Sequence, residues 1–160
     1  MNQAYLHLLV AHLPVFGSIA GAFVLAYGLW TKSNHTKIAA YTLLIISSIG
    51  AGISYLTGEA AEETVEKIQG ISKTAIDQHE DFAVVVLVAL IILGVISLIG
   101  LILTLRKTSW IRFVALSTLV ISLVSFALVA RLAYLGGKIR HTEFYSDKAL
   151  IQGGENKADD

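Results

Sequence analysis

The sequence predicts an all-α integral membrane protein, a four-helix bundle with a short amphipathic helix between the second and third spans. Its composition is the first observation: 55% of the 160 residues are hydrophobic, 15% are charged, and the mean hydropathy is +0.70. A soluble domain normally has about a quarter charged residues. The second observation is that the apolar residues form four long runs. Each run is close to the ~20 residues that an α-helix needs to cross a hydrocarbon core.

The four runs contain no acidic residue, and Arg131 is the only Lys or Arg within them. Helices of a soluble bundle would show a polar stripe along one face, which these runs lack. The first run has no basic start and exceeds the ~7–15 apolar residues of a cleaved signal peptide. The predicted spans are residues 8–30, 38–57, 82–105 and 113–135. They belong to a transmembrane domain at 1–141, which a polar C-terminal tail follows at 142–160.

Polar segments beside the spans indicate where the helices begin and end. Ser72 is a suitable N-cap, so the third helix is predicted to begin there and to continue through the membrane. Gly136 and Gly137 are expected to end the fourth helix and to let the chain fold back. The segment "GEAAEETVEKIQG" predicts a short helix with an acidic stripe, formed by Glu59, Glu62, Glu63 and Glu66.

The distribution of charge predicts an orientation in the membrane. The loops "TKSNHTK" and "RKTSWIR" contain five Lys and Arg residues and no acidic residue. All twelve Asp and Glu residues lie on the side of the termini. Because Lys and Arg are enriched in cytoplasmic loops, we expect the two short loops to be cytoplasmic and both termini to lie outside.

Small residues in the first two helices are compatible with two arrangements. Gly17 and Gly21 in "GSIAG", and the cluster "SSIGAGIS", let neighbouring helices approach closely. The same residues also leave room for a flat cofactor between the helices. Both interpretations stay open at the level of sequence.

Histidines from separate segments are predicted to meet at the outer end of the bundle. His12 lies in the first helix, and His79 falls on the apolar, inward face of the third helix. His141 follows the glycine pair of the fourth helix. His7 is separated from His12 by about 140° at ~100° per residue, so we interpret His7 as an interfacial residue. Polar residues inside a membrane are functional candidates by default.

Two further residues in the spans need polar partners. A proline inside a helix frees the carbonyl four residues earlier, so Pro14 is expected to free that of Val10. Arg131 is about one turn inside its apolar run. A charge at that depth normally faces the bundle. We therefore expect Arg131 to pair with a carboxylate, a cofactor propionate or the Val10 carbonyl.

Four short motifs resemble those of a family of small four-helix bacterial membrane proteins of unknown function. They are "LVAHLPVFGSIAG", "YLTGEAAEE", "QHEDFAVVV" and "LGGKIRH", and the resemblance spans residues 8–141. Leu13 stands where the family has an aromatic residue, and "EAAEE" replaces its Asp-Trp. The resemblance implies a bacterial cytoplasmic (inner) membrane and gives His12, His79 and His141 as the family's histidines. Some members are fused to a Rieske iron–sulfur domain, which implies membrane electron transfer.

The leading functional hypothesis is a b-type haem protein that transfers electrons near the outer face of the membrane. Two neutral imidazoles on facing helices suit the axial positions of haem b, and His12 and His79 are the best such pair. His141 adds a third imidazole at this end. Basic side chains are available for the propionates, namely Arg131, Lys138 and Arg140.

Two other hypotheses stay open. One is a non-haem zinc, iron or copper site that combines the histidines with Glu59 or Glu63. An open coordination position there would make the protein an enzyme. The other is a cofactor-free small subunit of a larger membrane complex.

The composition also limits the partners. Cysteine is absent, which excludes disulfides and thiolate metal sites. With zero net charge and no basic block, nucleic acid is not an expected partner. The expected partners are the lipid bilayer and a redox partner subunit or quinol, and homo-oligomer formation stays open.

Overall fold

The computed structural model describes residues 3–66 and 73–140, and within these ranges all regular structure is helical. The helices are α1 (Gln3–Val10), α2 (His12–Trp30), α3 (Asn34–Leu56), α4 (Gly58–Glu66), α5 (Lys73–Leu105) and α6 (Ile111–Arg140). Residues 141–160, which include the predicted tail and His141, lie outside the described part, as does Ser72.

Four segments are long and apolar enough to cross a membrane: Tyr5–Trp30, Asn34–Leu56, Lys73–Leu105 and Ile111–Ile139. The predicted fold class is confirmed at this level, as an all-helical, multi-pass membrane protein. The short helix α4 lies between the second and third spans, where the sequence predicts a helix. That α4 is amphipathic stays a prediction.

The four spans form a ring in which each packs on two neighbours. α2 packs on α3 and α6, and α5 packs on the same two helices from the opposite side. Short turns join α2 to α3 and α5 to α6, so neighbouring spans run antiparallel. The core between them contains Leu25, Tyr41, Leu44, Leu90 and Leu93, all fully buried.

The first span has a short interruption just before Pro14, at Ala11, whose backbone stays in the helical region and whose N–H donates to the His7 carbonyl over 2.8 Å. That Pro14 frees the Val10 carbonyl stays a prediction. α1 ends at Val10, a turn follows at Ala11, and α2 begins at His12. Pro14 therefore lies in the first turn of α2, where a backbone N–H has no helical partner in any case. The chain accommodates the ring by starting a new helix just before it.

The Pro14 carbonyl is the polar centre of the α2–α3 contact. The Ser18 hydroxyl donates to it over 2.6 Å, and the Ser47 hydroxyl of α3 donates to it over 3.4 Å. Ser18 and Ser47 are both buried. Within a membrane, such bonds satisfy hydroxyls that have no access to water.

Small residues bring the helices into close contact. A Cβ added at Gly17 would lie 2.8 Å from the Ser47 Cβ, and one added at Gly94 would lie 2.8 Å from the Ser48 Cβ. A Cβ at Gly100 would lie 2.5 Å from two ring carbons of Tyr41. At these positions the structure favours close packing over a slot for a flat cofactor.

Gly136 and Gly137 do not end the fourth helix, contrary to the sequence-based expectation. α6 continues through both glycines to Arg140. Gly136 lets α6 approach His79 of α5 closely, because a Cβ at position 136 would lie 3.2 Å from Cε1 of His79. The glycine at this position is explained by its neighbour on α5, not by a left-handed helix end.

The two turns between antiparallel spans lie at the same end of the bundle, which we call the loop end. Lys32 (φ 55°) and Lys107 (φ 53°) adopt the left-handed conformation there. The Ser33 hydroxyl caps α3 by accepting a bond from the Thr36 N–H at 3.2 Å. The loop end holds the basic residues of both turns, namely Lys32, Lys37, Arg106, Lys107 and Arg112.

Candidate site at the histidine end of the bundle

The opposite end, which we call the histidine end, is formed by α1, α4, the start of α5 and the end of α6. His79 lies on the second turn of α5 and is partly buried against α6. A Cβ at Gly136 would lie 3.4 Å from His79 Nδ1, so this nitrogen faces the α6 backbone. Nδ1 is buried and has no hydrogen-bond partner in the described part of the chain, although the ring interacts electrostatically with the Leu132 backbone. His79 thus takes the inward position that the sequence predicts for it.

His7 is the second imidazole at this end. Its Nδ1 lies 2.8 Å from the Ser54 carbonyl oxygen of α3. The ring also lies beside the first residue of α4, because a Cβ at Gly58 would be 3.8 Å from His7 Cε1. His7 and His79 are near enough to interact electrostatically. His7 therefore lies within electrostatic range of His79 at this end of the bundle, although the sequence predicts an interfacial position for His7.

His12 is exposed on the outward side of α2 and is not turned toward His79. Its Nδ1 lies 2.7 Å from the Leu8 carbonyl oxygen of the preceding turn. The ring stacks on Phe16, with 6.3 Å between centroids and 10° between planes. In this structure His12 contacts its own helix segment, and its pairing with His79 stays a prediction.

Helical periodicity explains why His7, and not His12, lies on the inward face of the first span. The inward face of the first span includes Val10, Pro14, Ser18 and Gly21, all buried. Residues three or four apart share a face, so this row extends back to His7 and leaves His12 on the other side. The row of small residues could have identified His7 from the sequence alone.

Within the described residues Arg131 contacts an aromatic ring, and its pairing with a cofactor propionate stays a prediction. The side chain is exposed, and its guanidinium carbon lies 4.9 Å from the centroid of the Phe82 ring on α5. Lys138, further along α6, is placed over the Tyr134 ring at 5.0 Å. Cation–π contacts of this kind satisfy a cation beside an apolar surface without a carboxylate. They hold two positive charges at the histidine end.

Carboxylates of α4 and of the start of α5 interact with one another at the histidine end. Burial is the largest cause that raises the pKa of Glu62 above its usual value. The carboxylates of Glu80, Glu66 and Asp77 raise this pKa further, and Lys73 lowers it. Lys73 Nζ also lies 3.8 Å from Glu66 Oε1. The repulsion acts within α4, from Glu66, and between α4 and the first turns of α5.

The carboxylates expected as metal ligands do not join the histidines. Glu59 and Glu63 are exposed on α4. Within residues 3–66 and 73–140, no group of three His, Asp or Glu side chains is arranged to hold a metal ion. His141, the third histidine of the sequence-based site, lies outside the described residues.

Comparisons of the chain with family models, curated proteins and solved structures find no match. The site therefore has to be interpreted from its own chemistry.

Proposed function

We propose that this chain is a membrane-embedded b-type haem protein whose axial ligands are His7 and His79, at the histidine end of the bundle. One observation carries the proposal: each imidazole turns Nδ1 toward the backbone of a neighbouring helix. For His7 the backbone group is the Ser54 carbonyl at 2.8 Å, and for His79 it is the Gly136 region of α6.

This arrangement leaves Nε2 as the ligating atom on both rings. A carbonyl oxygen can only accept, so His7 Nδ1 carries a proton, and in the neutral imidazole Nε2 then carries the lone pair. A histidine that binds a metal commonly donates its other ring N–H to a backbone carbonyl, which fixes the tautomer and the ring plane. His7 has this orientation before any ligand is bound. His79 Nδ1 is buried beside α6, and the ring interacts with the Leu132 backbone of that helix.

The number of ligands favours haem over the non-haem alternative. Haem iron needs two axial nitrogens from the protein, whereas a mononuclear zinc, iron or copper site commonly uses three or more side chains. The described residues at this end include His7, His12 and His79, and no group of three His, Asp or Glu side chains among the described residues is arranged to hold a metal ion. When bound, haem would supply reversible one-electron chemistry.

The packing favours a site at the end of the bundle over one in its middle. Close contacts at Gly17, Gly94 and Gly100 leave no slot between the spans at those levels. At the histidine end, α1 packs on α3 and α4, and it is not closely packed on α5. Arg131 and Lys138 provide positive charge for propionates at this end.

The orientation is part of the proposal. The basic loop end is placed in the cytoplasm and the histidine end on the outer side, because Lys and Arg favour cytoplasmic loops. Electrons would then be exchanged with a redox partner subunit or quinol at the outer face. The resemblance of four motifs to a family with Rieske fusions supports this working context.

The test is the visible spectrum of protein purified from membranes in mild detergent, oxidised and then reduced with dithionite. Wild type should show the Soret and α bands of six-coordinate haem. His7→Ala and His79→Ala should each abolish the six-coordinate spectrum. The matched control is His35→Ala, since His35 is exposed at the loop end.

Two outcomes would count against the proposal. If wild type has no Soret band after haem supplementation during expression, the haem assignment fails. If His12→Ala loses the six-coordinate spectrum and His7→Ala keeps it, the ligand pair is the one predicted from the sequence.

A further inference from the structure

Lys37 is the buried exception among the basic residues of the loop end. Lys37 is 7% exposed, and its stem packs on α2, because a Cβ at Gly28 would lie 3.1 Å from the Lys37 Cγ. The other four basic side chains of this end are exposed, namely Lys32, Arg106, Lys107 and Arg112. Position 37 therefore places a cationic side chain in a helix interface, where its neighbours in sequence place theirs in water.

The ammonium group of Lys37 has one hydrogen-bond partner in the described part of the chain. Nζ donates over 3.2 Å to Asn34 Oδ1, which is a neutral amide oxygen. Among the described residues no carboxylate forms an ion pair with Lys37, and the two loops of this end contain no acidic residue. An ammonium carries three N–H donors, and a buried charge is normally paired. Residues 3–66 and 73–140 therefore supply no counter-charge for Lys37.

Two buried hydroxyls lie next to Lys37, one on α3 and one on α5. Tyr41 follows Lys37 by four residues on the inward face of α3, and helical side chains point back toward the N-terminus, so the phenol is directed toward Lys37. Its ring reaches Gly100 of α5, where a Cβ would lie 2.8 Å from the Tyr41 hydroxyl oxygen. Thr104, in the last turn of α5, has its hydroxyl beside that of Tyr41. Tyr41 is fully buried, and Thr104 is 2% exposed.

The hydroxyls of Tyr41 and Thr104 differ from most hydroxyls of the spans. Those of Ser18, Ser48 and Thr118 donate to a carbonyl of their own helix. The hydroxyl oxygens of Tyr41 and Thr104 are buried, and within the described ranges neither makes a hydrogen bond of ordinary geometry. Two hydroxyls further from the loop end share this property, namely Ser97 and Ser125. Because unpaired buried donors are destabilising, a ligand that accepts hydrogen bonds would stabilise this part of the bundle.

We infer that a small monovalent inorganic anion, chloride in a cell, binds at the loop end between the Lys37 ammonium and the hydroxyls of Tyr41 and Thr104. An anion accepts hydrogen bonds from all three groups and supplies the counter-charge that Lys37 lacks. Water would pair with the hydroxyls and leave the charge of Lys37 uncompensated. A metal cation would be repelled by Lys37 and would find no carboxylate there.

The packing around the site favours a monatomic anion. The ring of Tyr41 is held against Gly100, and the Lys37 stem is held against Gly28, so a tetrahedral oxyanion such as phosphate would have to displace one of them. The anion would be reached from the loop end and would join α3 to α5. The site uses none of the residues assigned to haem binding and lies at the other end of the bundle. The two proposals can therefore fail separately.

The first experiment measures binding with chloride as the probe. Protein purified in neutral detergent and sodium gluconate is titrated with sodium chloride at constant ionic strength, and the excess ³⁵Cl NMR line width over detergent alone is recorded. Wild type should broaden the line saturably. Tyr41→Phe keeps the ring and removes only the hydroxyl, so it should weaken chloride binding about tenfold, through loss of a hydrogen bond to a charged group.

Tyr27→Phe is the matched control for that titration, because Tyr27 lies in the last turn of α2 at the same end and is 55% exposed. It should bind chloride as wild type does. Absence of saturable broadening in wild type would overturn the anion site. Equal chloride affinity in wild type and Tyr41→Phe would overturn it as well.

The second experiment tests the charge of Lys37. Thermal unfolding is compared in chloride and in gluconate at the same ionic strength, because a ligand that binds only the folded state raises Tm. Chloride should raise the Tm of wild type and of Lys32→Met, whose native side chain is exposed, and should leave that of Lys37→Met unchanged. Thr104→Val, which keeps the shape of the side chain, provides the same comparison if Lys37→Met does not fold. An equal chloride effect in wild type and in the variants of the site would mean a general effect of salt and would overturn the inference.

Discussion

Gly136 and His79 are in direct contact across the α5–α6 interface, with a Cβ at Gly136 falling 3.2 Å from Cε1 of the imidazole. The neighbouring Gly137 has open space, since no atom lies within 4 Å of a Cβ built there. Both glycines lie inside the same helix. They therefore form a matched pair for testing whether the glycine at position 136 sets the position of His79.

Replacing these glycines by alanine should have different effects. Each change gains up to about 1 kcal/mol of helix propensity. In Gly136→Ala this gain is offset by displacement of the His79 ring, because overpacking costs about 1–3 kcal/mol. Thermal unfolding in detergent should show Gly137→Ala stabilised and Gly136→Ala unchanged or destabilised. Equal shifts in Tm would mean that the His79 ring yields without cost.

Gly100 offers a sharper test of the close packing inside the membrane. A methyl group there would lie 2.5 Å from ring carbons of Tyr41, which is fully buried and has no room to move aside. Gly100→Ala should therefore destabilise the bundle by about 1–3 kcal/mol. Gly52→Ala is the control, because nothing lies within 4 Å of its Cβ position on α3. A higher Tm for both variants would contradict the close packing described for α3 and α5.

The carboxylates of Glu62, Glu66, Asp77 and Glu80 should make the docking of α4 depend on pH. The pKa of Glu62 is raised in the folded protein, so the folded state binds its proton more tightly than the unfolded state does. Protonated Glu62 therefore stabilises the folded state at low pH. This stabilisation is lost as the pH rises through the raised pKa of Glu62. Lys73 moderates the effect by attracting these carboxylates.

Hydrogen exchange of the α4 amides is the appropriate measurement. After correction for intrinsic rates, protection of α4 should be greater at pH 5 than at pH 7.5. Glu62→Gln should raise protection at pH 7.5 and flatten the dependence. Glu59→Gln, an exposed change on the same helix, should leave the dependence in place.

The orientation can be tested with single cysteines, since the chain has none of its own. Lys107→Cys labels the loop end and Glu63→Cys labels α4, and both native side chains are exposed. In intact cells, a membrane-impermeant maleimide should modify Glu63→Cys and leave Lys107→Cys unmodified until the cells are opened. The reverse pattern would place the basic loops outside.

Local sequence signals were enough to predict the spans but not the pairing of side chains. The apolar runs predict the four spans because length and hydropathy act along one helix at a time. Pro14 and the Gly136–Gly137 pair have more than one structural use, and in each case a neighbouring helix decides between them. α6 continues through Gly136, where it contacts His79, a residue far away in the sequence.

The two histidines of the first span illustrate the same limit at the site. Sequence periodicity correctly separates His7 from His12, but it does not by itself assign the inward face. That choice depends on which row packs on α3, and the small residues Pro14, Ser18 and Gly21 mark that row. Hydrophobicity was a poor guide here, because both faces of a membrane helix are apolar.

The glycine and serine contacts between the spans also bear on the electrical properties of the membrane. Where Gly17 meets Ser47 and Gly94 meets Ser48, the helices are too close to admit a file of water molecules. These two contacts close the α2–α3 and α3–α5 interfaces at those levels. Ions and small molecules would therefore not pass between these helix pairs, and a reactant of the histidine end would arrive from that end or along the plane of the bilayer.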